Sequence, residues 1–261
     1  MNNYPDTLQL EKRGNVAVLT LNNLPANTWN KESLIGLINI VNDLNDDLDI
    51  YSLVITSASD KFFSAGADLN LFADGDLANA RDMAKYFGEA FYVLTQFRGV
   101  SIAAVNGWAM GGGLEVALAC DIRVAEEKAV MALPEAKVGI LPCAGGTQNL
   151  TMLVGEGWAK KMILCGQRVD APTALRIGLV EEQVENGCGF ERAFELAQQV
   201  ALQSPKAVAA CKTLIQSNRT RTWEQGYILE RELFVDLFHT EDQQEGVAAF
   251  LDKRPAVWEN E

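Results

Sequence analysis

Apolar residues fall along this chain in two alternating rhythms. Residues 15–21 (NVAVLTL) form a short apolar run of strand type, and after Lys31 the residues Leu34, Leu37, Ile38, Val41 and Leu44 recur at the spacing of one helix face. Residues 52–56 (SLVIT) predict a second strand, leading into a loop over 57–67. A longer helix is predicted over 77–97, with Met83, Phe87, Phe91 and Leu94 on one side. Residues 100–105 read as a buried strand, 111–113 open a short apolar helix, and 121–125 and 129–133 give two more strands. Strand and helix in this alternation predict right-handed βαβ units and a mainly parallel sheet, so the fold class is α/β.

From about Gly189 the rhythm is helical only: 190–203, 205–217, 223–239 and 241–252, the last stopped before Pro255. The expected organisation is therefore a βα core over 1–187 and a helical region over 188–261. No low-complexity linker separates them, which favours close packing or exchange between subunits over a flexible tether.

Composition narrows the function classes. Hydrophobic residues make up 48% of the 261 and charged residues 22%, an ordinary globular balance that excludes disorder. A formal net charge of −13 repels a phosphate backbone at long range, so no nucleic-acid partner is expected, although a local basic spot can still take a small anion. The five cysteines, Cys120, Cys143, Cys165, Cys188 and Cys211, are widely spaced and form no C-x-x-C pair, which indicates neither a disulfide framework nor a metal site. Residues 1–13 are polar without an apolar stretch, so a cytoplasmic protein is expected. Between Gly99 and Cys120 the only charge is Glu115, but four glycines with Ser101 and Asn106 suit a strand, a turn and a buried helix better than a membrane span.

Glu115 is where chemistry first suggests itself. A carboxylate inside an apolar helix is costly unless it is paired, hydrogen-bonded or neutralised. It is either a buried group satisfied by backbone N–H or an Arg, or a carboxylate of raised pKa lining a closed pocket. Gly111, Gly112 and Gly113 stand one turn earlier, where helix N–H groups lack intrahelical partners and the absence of Cβ admits a ligand atom. Gly112 and Glu115 are three apart, which sets an N–H donor and a carboxylate on one face. Tight helix–strand packing is the alternative use of the three glycines. A second glycine loop, Phe63 to Asp68, follows the second strand, with Asp68 suited to an N-cap. Glu135, after Pro134 at a strand end, is placed either to face Glu115 across a pocket or to sit in solvent near Lys137.

Together these segments resemble a known family. SAGADL (64–69), AAVNGWAMGGGLEVALACD (103–121) and PEAKVGILPCAGGT (134–147) are similar to the three signatures of the crotonase, or enoyl-CoA hydratase/isomerase, superfamily. LFHTEDQQEGVAAFLDKRPAVW (237–258) resembles that family's last helix, so the resemblance covers nearly the whole chain. It implies a crotonase-like (ClpP/crotonase) ββα spiral core with a C-terminal helical trimerisation region, in a homotrimer or dimer of trimers. By motif position it implies that the N–H groups of Ala67 and Gly112 form an oxyanion hole and that Glu115 and Glu135 are the two catalytic glutamates. Ala65, Gly66, Asp68 and Leu69 would line the coenzyme A path, and Lys253 with Phe250 would meet the coenzyme A of a neighbouring subunit. Retention of both glutamates implies an enoyl-CoA hydratase. The alternatives are an enoyl-CoA isomerase or another crotonase-type acyl-CoA enzyme and, more remotely, a non-catalytic RNA-binding member. Coenzyme A would enter only as part of the substrate, with no metal or permanently bound cofactor.

The sequence departs from the family pattern in two places. Residues 21–27 (LNNLPAN) lack the Arg with which many members grip coenzyme A, and Cys143 replaces a usual glycine. Cys143 is expected to pack, since no His adjoins it to make it a nucleophile. Trp108, Phe87 and Phe91 are candidates for the acyl tunnel or for core, and the sole histidine, His239, is placed at the surface or an interface. Asp74 and Asp76 are expected to solvate their loop.

Overall fold

The computed structural model describes residues 4–260, so part of the polar 1–13 segment and the last residue of the 188–261 region lie outside it. β1 (Leu8–Arg13) and β2 (Val16–Leu21) form an antiparallel hairpin around Gly14, whose φ is 60°. β3 (Thr28–Trp29) leads to α1 (Lys31–Asp46), which opens on a capping box: Ser33 N donates to Asn30 at 2.9 Å and Asn30 N to Ser33 Oγ at 3.0 Å. β4 (Ser52–Ser57), β5 (Phe62–Ser64) and β6 (Gly66–Ala67) follow, then α2 (Leu77–Thr95), capped by Asp76. Asp74 in turn accepts from Asp76 N at 3.0 Å, so this pair shapes the loop.

β7 (Val100–Val105), β8 (Trp108–Met110) and α3 (Gly112–Ala119) fill the near-neutral stretch. No helix among the described residues is long and apolar enough to cross a membrane. Next come β9 (Ile122–Glu126), β10 (Val130–Ala132) and α4 (Gly146–Leu164), the last broken at Gly155, where φ is 76°. β11 (Val169–Asp170), α5 (Ala171–Arg176) and β12 (Glu182–Val184) complete the sheets, and α6 (Gly189–Ala201), α7 (Pro205–Ser217), α8 (Trp223–Asp236) and α9 (Glu241–Asp252) end the chain. His239 lies on a 3-10 turn, Leu237–His239, that ends the helix expected over 223–239 early.

The central sheet has the order β1-β2-β4-β7-β9-β12 and is parallel apart from β1. A smaller sheet, β11-β10-β8-β5, and the two-stranded β3-β6 lie beside it. Alternation along the strands assigns the faces. Leu53, Ile55, Ala103 and Val105 join Leu34, Leu37 and Phe91 in the larger core, while Val54, Ile102 and Ala104 join Ala193 and Ala197 of α6 in a second one. Both faces are thus covered, which is why the strands read as continuous apolar runs. The boundary expected at 187/188 falls just before α6, a helix that closes the second face of the core.

Candidate active site

Three segments converge, following β5, β8 and β10. At the first, Asn27 stands at φ 50° and donates from Nδ2 to Ser57 Oγ at 2.7 Å and Phe63 O at 3.1 Å. Ser64 Oγ donates back to Asn27 O at 2.7 Å and accepts from Gly66 N at 3.2 Å. The segment lacking Arg therefore anchors the loop that carries Ala65, Gly66 and Ala67.

The glycines of the second segment divide their work. A Cβ on Gly113 would lie 2.0 Å from Ser64 O, so this glycine lets α3 press against β5. A Cβ on Gly66 would lie 2.6 Å from Met110 O and 3.0 Å from Gly112 N, so the two glycine loops touch. Gly111 has φ 53° and donates from its N–H to Ala132 O at 2.9 Å. Gly112 is the first residue of α3, a position whose N–H has no intrahelical acceptor. Packing and an open helix end, read from the sequence as alternatives, coexist on successive residues.

Glu115 is 2% exposed, and its Oε1 accepts from Ala144 N at 2.8 Å and Gly146 N at 2.9 Å. Burial raises its pKa while these two donors pull it down. Both carboxyl oxygens of Glu135 are buried without a hydrogen-bond partner among the described residues, and Oε1 lies 3.1 Å from where a Gly111 Cβ would be. Burial raises the pKa of Glu135 to about 7 against the lowering pull of its own backbone N–H, with the charge of Glu115 a smaller raising contribution. The pKa of both carboxyl groups is raised by burial, but only Glu115 has N–H donors from other residues to favour its ionised form.

These groups line one cavity of about 430 Å³, together with Ala65, Ala67, Leu69, Gly112 and Phe87. Cys143 is at its wall, accessible at the surface, its thiol raised to about 11 by local desolvation and then by both glutamates, which makes it a poor nucleophile. Other expected residues stand apart. Gly66 backs onto Met110 and Gly112, and Asp68 caps the turn Leu69–Phe72, accepting from Asn70 N at 3.0 Å. Phe91 is core, while Trp108 packs on Phe62. Phe250, 83% exposed, and Lys253, which ends α9 at φ 56°, lie outside this cavity within one chain. Sequence reading missed Asn27, Met110 and Arg168. An Asn, a residue type that tolerates positive φ, at the end of the 21–27 segment was the only sequence signal for the first.

A family model described as enoyl-CoA hydratase/isomerase matches residues 11–261. The chain belongs to this enoyl-CoA hydratase/isomerase family. Among relatives, 2,3-dehydroadipyl-CoA hydratase of Escherichia coli (strain K12) is 40% identical over 248 residues, 95% of this chain and 96% of its own. The structure of Pseudomonas aeruginosa DspI aligns with a TM-score of 0.96 at 61% identity, covering 98% of each chain. Enoyl-CoA hydratase from Bacillus anthracis aligns at 0.94 and 34% identity, covering 98% of this chain and 100% of that one. The hydratase/isomerase family member therefore has the crotonase fold, the ββα core implied by its motifs.

Proposed function

We propose that this protein is an enoyl-CoA hydratase, adding water across the 2,3 double bond of a trans-2-enoyl-CoA. The observation that carries this reading is the unequal treatment of two carboxyl groups lining one cavity: two N–H donors from other residues on Glu115, none from another residue on Glu135. Glu115, ionised, orients a water and takes its proton as the oxygen bonds to C3. The electron pair of the double bond moves toward the thioester, and the N–H groups of Ala67 and Gly112 receive the developing oxyanion. Each such donor contributes roughly 3 kcal/mol in the transition state. Glu135 then delivers its proton to C2, and proton exchange between the glutamates resets the site. Coenzyme A is consumed and released only as part of the thioester.

The same reading includes the partner. Exposed apolar residues on α8 and α9 support a homotrimer or a dimer of trimers. In it, Phe250 and Lys253 of one subunit would meet the coenzyme A held by the next.

The test is the loss of enoyl-thioester absorbance from crotonyl-CoA and decenoyl-CoA. Wild type is expected to hydrate at least one, with Glu115→Gln and Glu135→Gln each slower by at least about 100-fold at unchanged assembly. Near-normal hydration by either variant would sink the assignment. Migration of the double bond without water uptake would reassign the protein to isomerisation.

A further inference from the structure

The protein as a whole is strongly acidic, with 35 carboxylates against 22 lysines and arginines. One side of the candidate site nevertheless gathers cations. Lys137 and Arg168 line the cavity that contains Glu115 and Glu135. Arg168 also lines an adjoining polar cavity of about 430 Å³, with Lys161 and Arg176. Lys137 leaves the turn that carries Glu135 and runs against Gly166, where a Cβ would lie 2.9 Å from Lys137 Cε. Gly166, at φ 61°, thus keeps open the route by which Lys137 extends toward the Gln167–Arg168 segment.

Among the described residues, none of these four cations lies within 4.0 Å of a carboxylate oxygen. Lys161 sits over the Trp158 ring at 4.6 Å and Arg168 over Trp108 at 5.0 Å, while Arg176 donates to Thr173 Oγ1 at 3.3 Å. The acid on the second cavity's wall, Asp170, is engaged in capping α5, accepting from Thr173 N at 3.0 Å. The charge of Arg176 also contributes to lowering the pKa of Asp170, after the Thr173 hydrogen bonds. The second cavity thus sets three cations against one carboxylate, and an oxyanion there offsets the excess positive charge through charge-assisted hydrogen bonds. Arg168 belongs to both cavities, so an anion held there is within reach of a ligand already seated at the glutamates.

We propose that Lys137, Lys161, Arg168 and Arg176 form an oxyanion subsite for a second anionic group of the same acyl-CoA. Its chemistry is a carboxylate or phosphate oxyanion, supplied by the far end of a dicarboxylic acyl chain or by coenzyme A. The subsite rests on the acyl-CoA reading above.

Direct binding separates the two, because saturated thioesters need no turnover. Calorimetric Kd values are measured for butyryl-CoA, adipyl-CoA and butyryl-pantetheine on wild type, on Lys137→Met/Arg168→Met, and on Lys161→Met, a surface change outside the glutamate cavity. Thermal melts verify folding. Both variants are expected to weaken at least one coenzyme A thioester, the double variant by about 10-fold or more. Weakening confined to adipyl-CoA identifies the acyl carboxylate. Weakening of both coenzyme A thioesters with butyryl-pantetheine unchanged identifies a phosphate. Variants that bind all three ligands within about twofold of wild type, or weaken all three equally, overturn the subsite while leaving the acyl-CoA site standing. A wild type that binds none of the three overturns both.

Discussion

Glu115 and Glu135 line the same cavity, yet the protein holds them in opposite ways. Glu135 has its pKa raised from 4.5 to about 7. Between those values the folded protein keeps a proton that the unfolded chain has released, so stability falls as pH rises through this window, by up to roughly 3 kcal/mol. Urea unfolding of Glu135→Gln is expected to show a gain of about 1–3 kcal/mol over wild type at pH 8, shrinking toward zero near pH 4. A gain independent of pH would mean that Glu135 is not the proton holder. The glycines divide just as clearly. Gly113→Ala forces a methyl to within 2.0 Å of Ser64 O and is expected to cost several kcal/mol of stability, lowering Tm by about 10 °C or more. Gly157→Ala, in α4 with nothing within 4 Å of the new methyl, is expected to gain about 0.5–1 kcal/mol instead. Glu115 was visible in the sequence as a lone charge in an apolar helix. Its partners were not, because Ala144 and Gly146 reach it only through the fold and donate from backbone atoms that every residue has.

At the scale of elements, legibility followed length and periodicity. β7, α7 and α9 run over the residues their patterns predict, while β3, β6 and β11, with two residues each, carry no periodicity to read. β1 was passed over because charges at Glu11, Lys12 and Arg13 hide the inward alternation of Leu8 and Leu10, as suits a sheet edge. α4 escaped because Gly155 and Gly157 interrupt its apolar face. How the helices of the C-terminal region attach was also unreadable. Lys212 of α7 donates to Phe97 O at 2.6 Å, Gly99 O at 2.9 Å and Asp121 Oδ2 at 2.7 Å, mooring that helix to the entry of β7. Lys212→Met leaves these acceptors facing an apolar chain and is expected to cost about 2–4 kcal/mol. Limited proteolysis should then cut first between α6 and α7; unchanged protection there would show that apolar packing alone holds α7.

Over the whole molecule, the sheet is covered on both faces but α8 and α9 are not. Trp223 is 72% exposed, Phe234 63%, Phe238 52% and Phe250 83%, large apolar side chains of the kind that mark an interaction surface when they gather on one face. Sedimentation of the wild type is expected to give a trimer or a multiple of it, and Phe234→Asp with Phe238→Asp is expected to yield smaller species. A monodisperse wild-type monomer would remove the proposed neighbour that brings Phe250 and Lys253 to the substrate. The crotonase fold thus supplies scaffold and cavity, and the proposed assembly surface lies on a separate part of the chain. The hydrogen bonds within the cavity carry a consequence for descent. Glu115 ties α3 to the residues that begin α4, so replacing it disturbs architecture and chemistry together. Nothing in the described fold leans on the carboxyl of Glu135. A duplicated copy of this gene can therefore exchange Glu135 for another side chain and explore new reactions on an intact scaffold, whereas exploration through Glu115 begins from a damaged one.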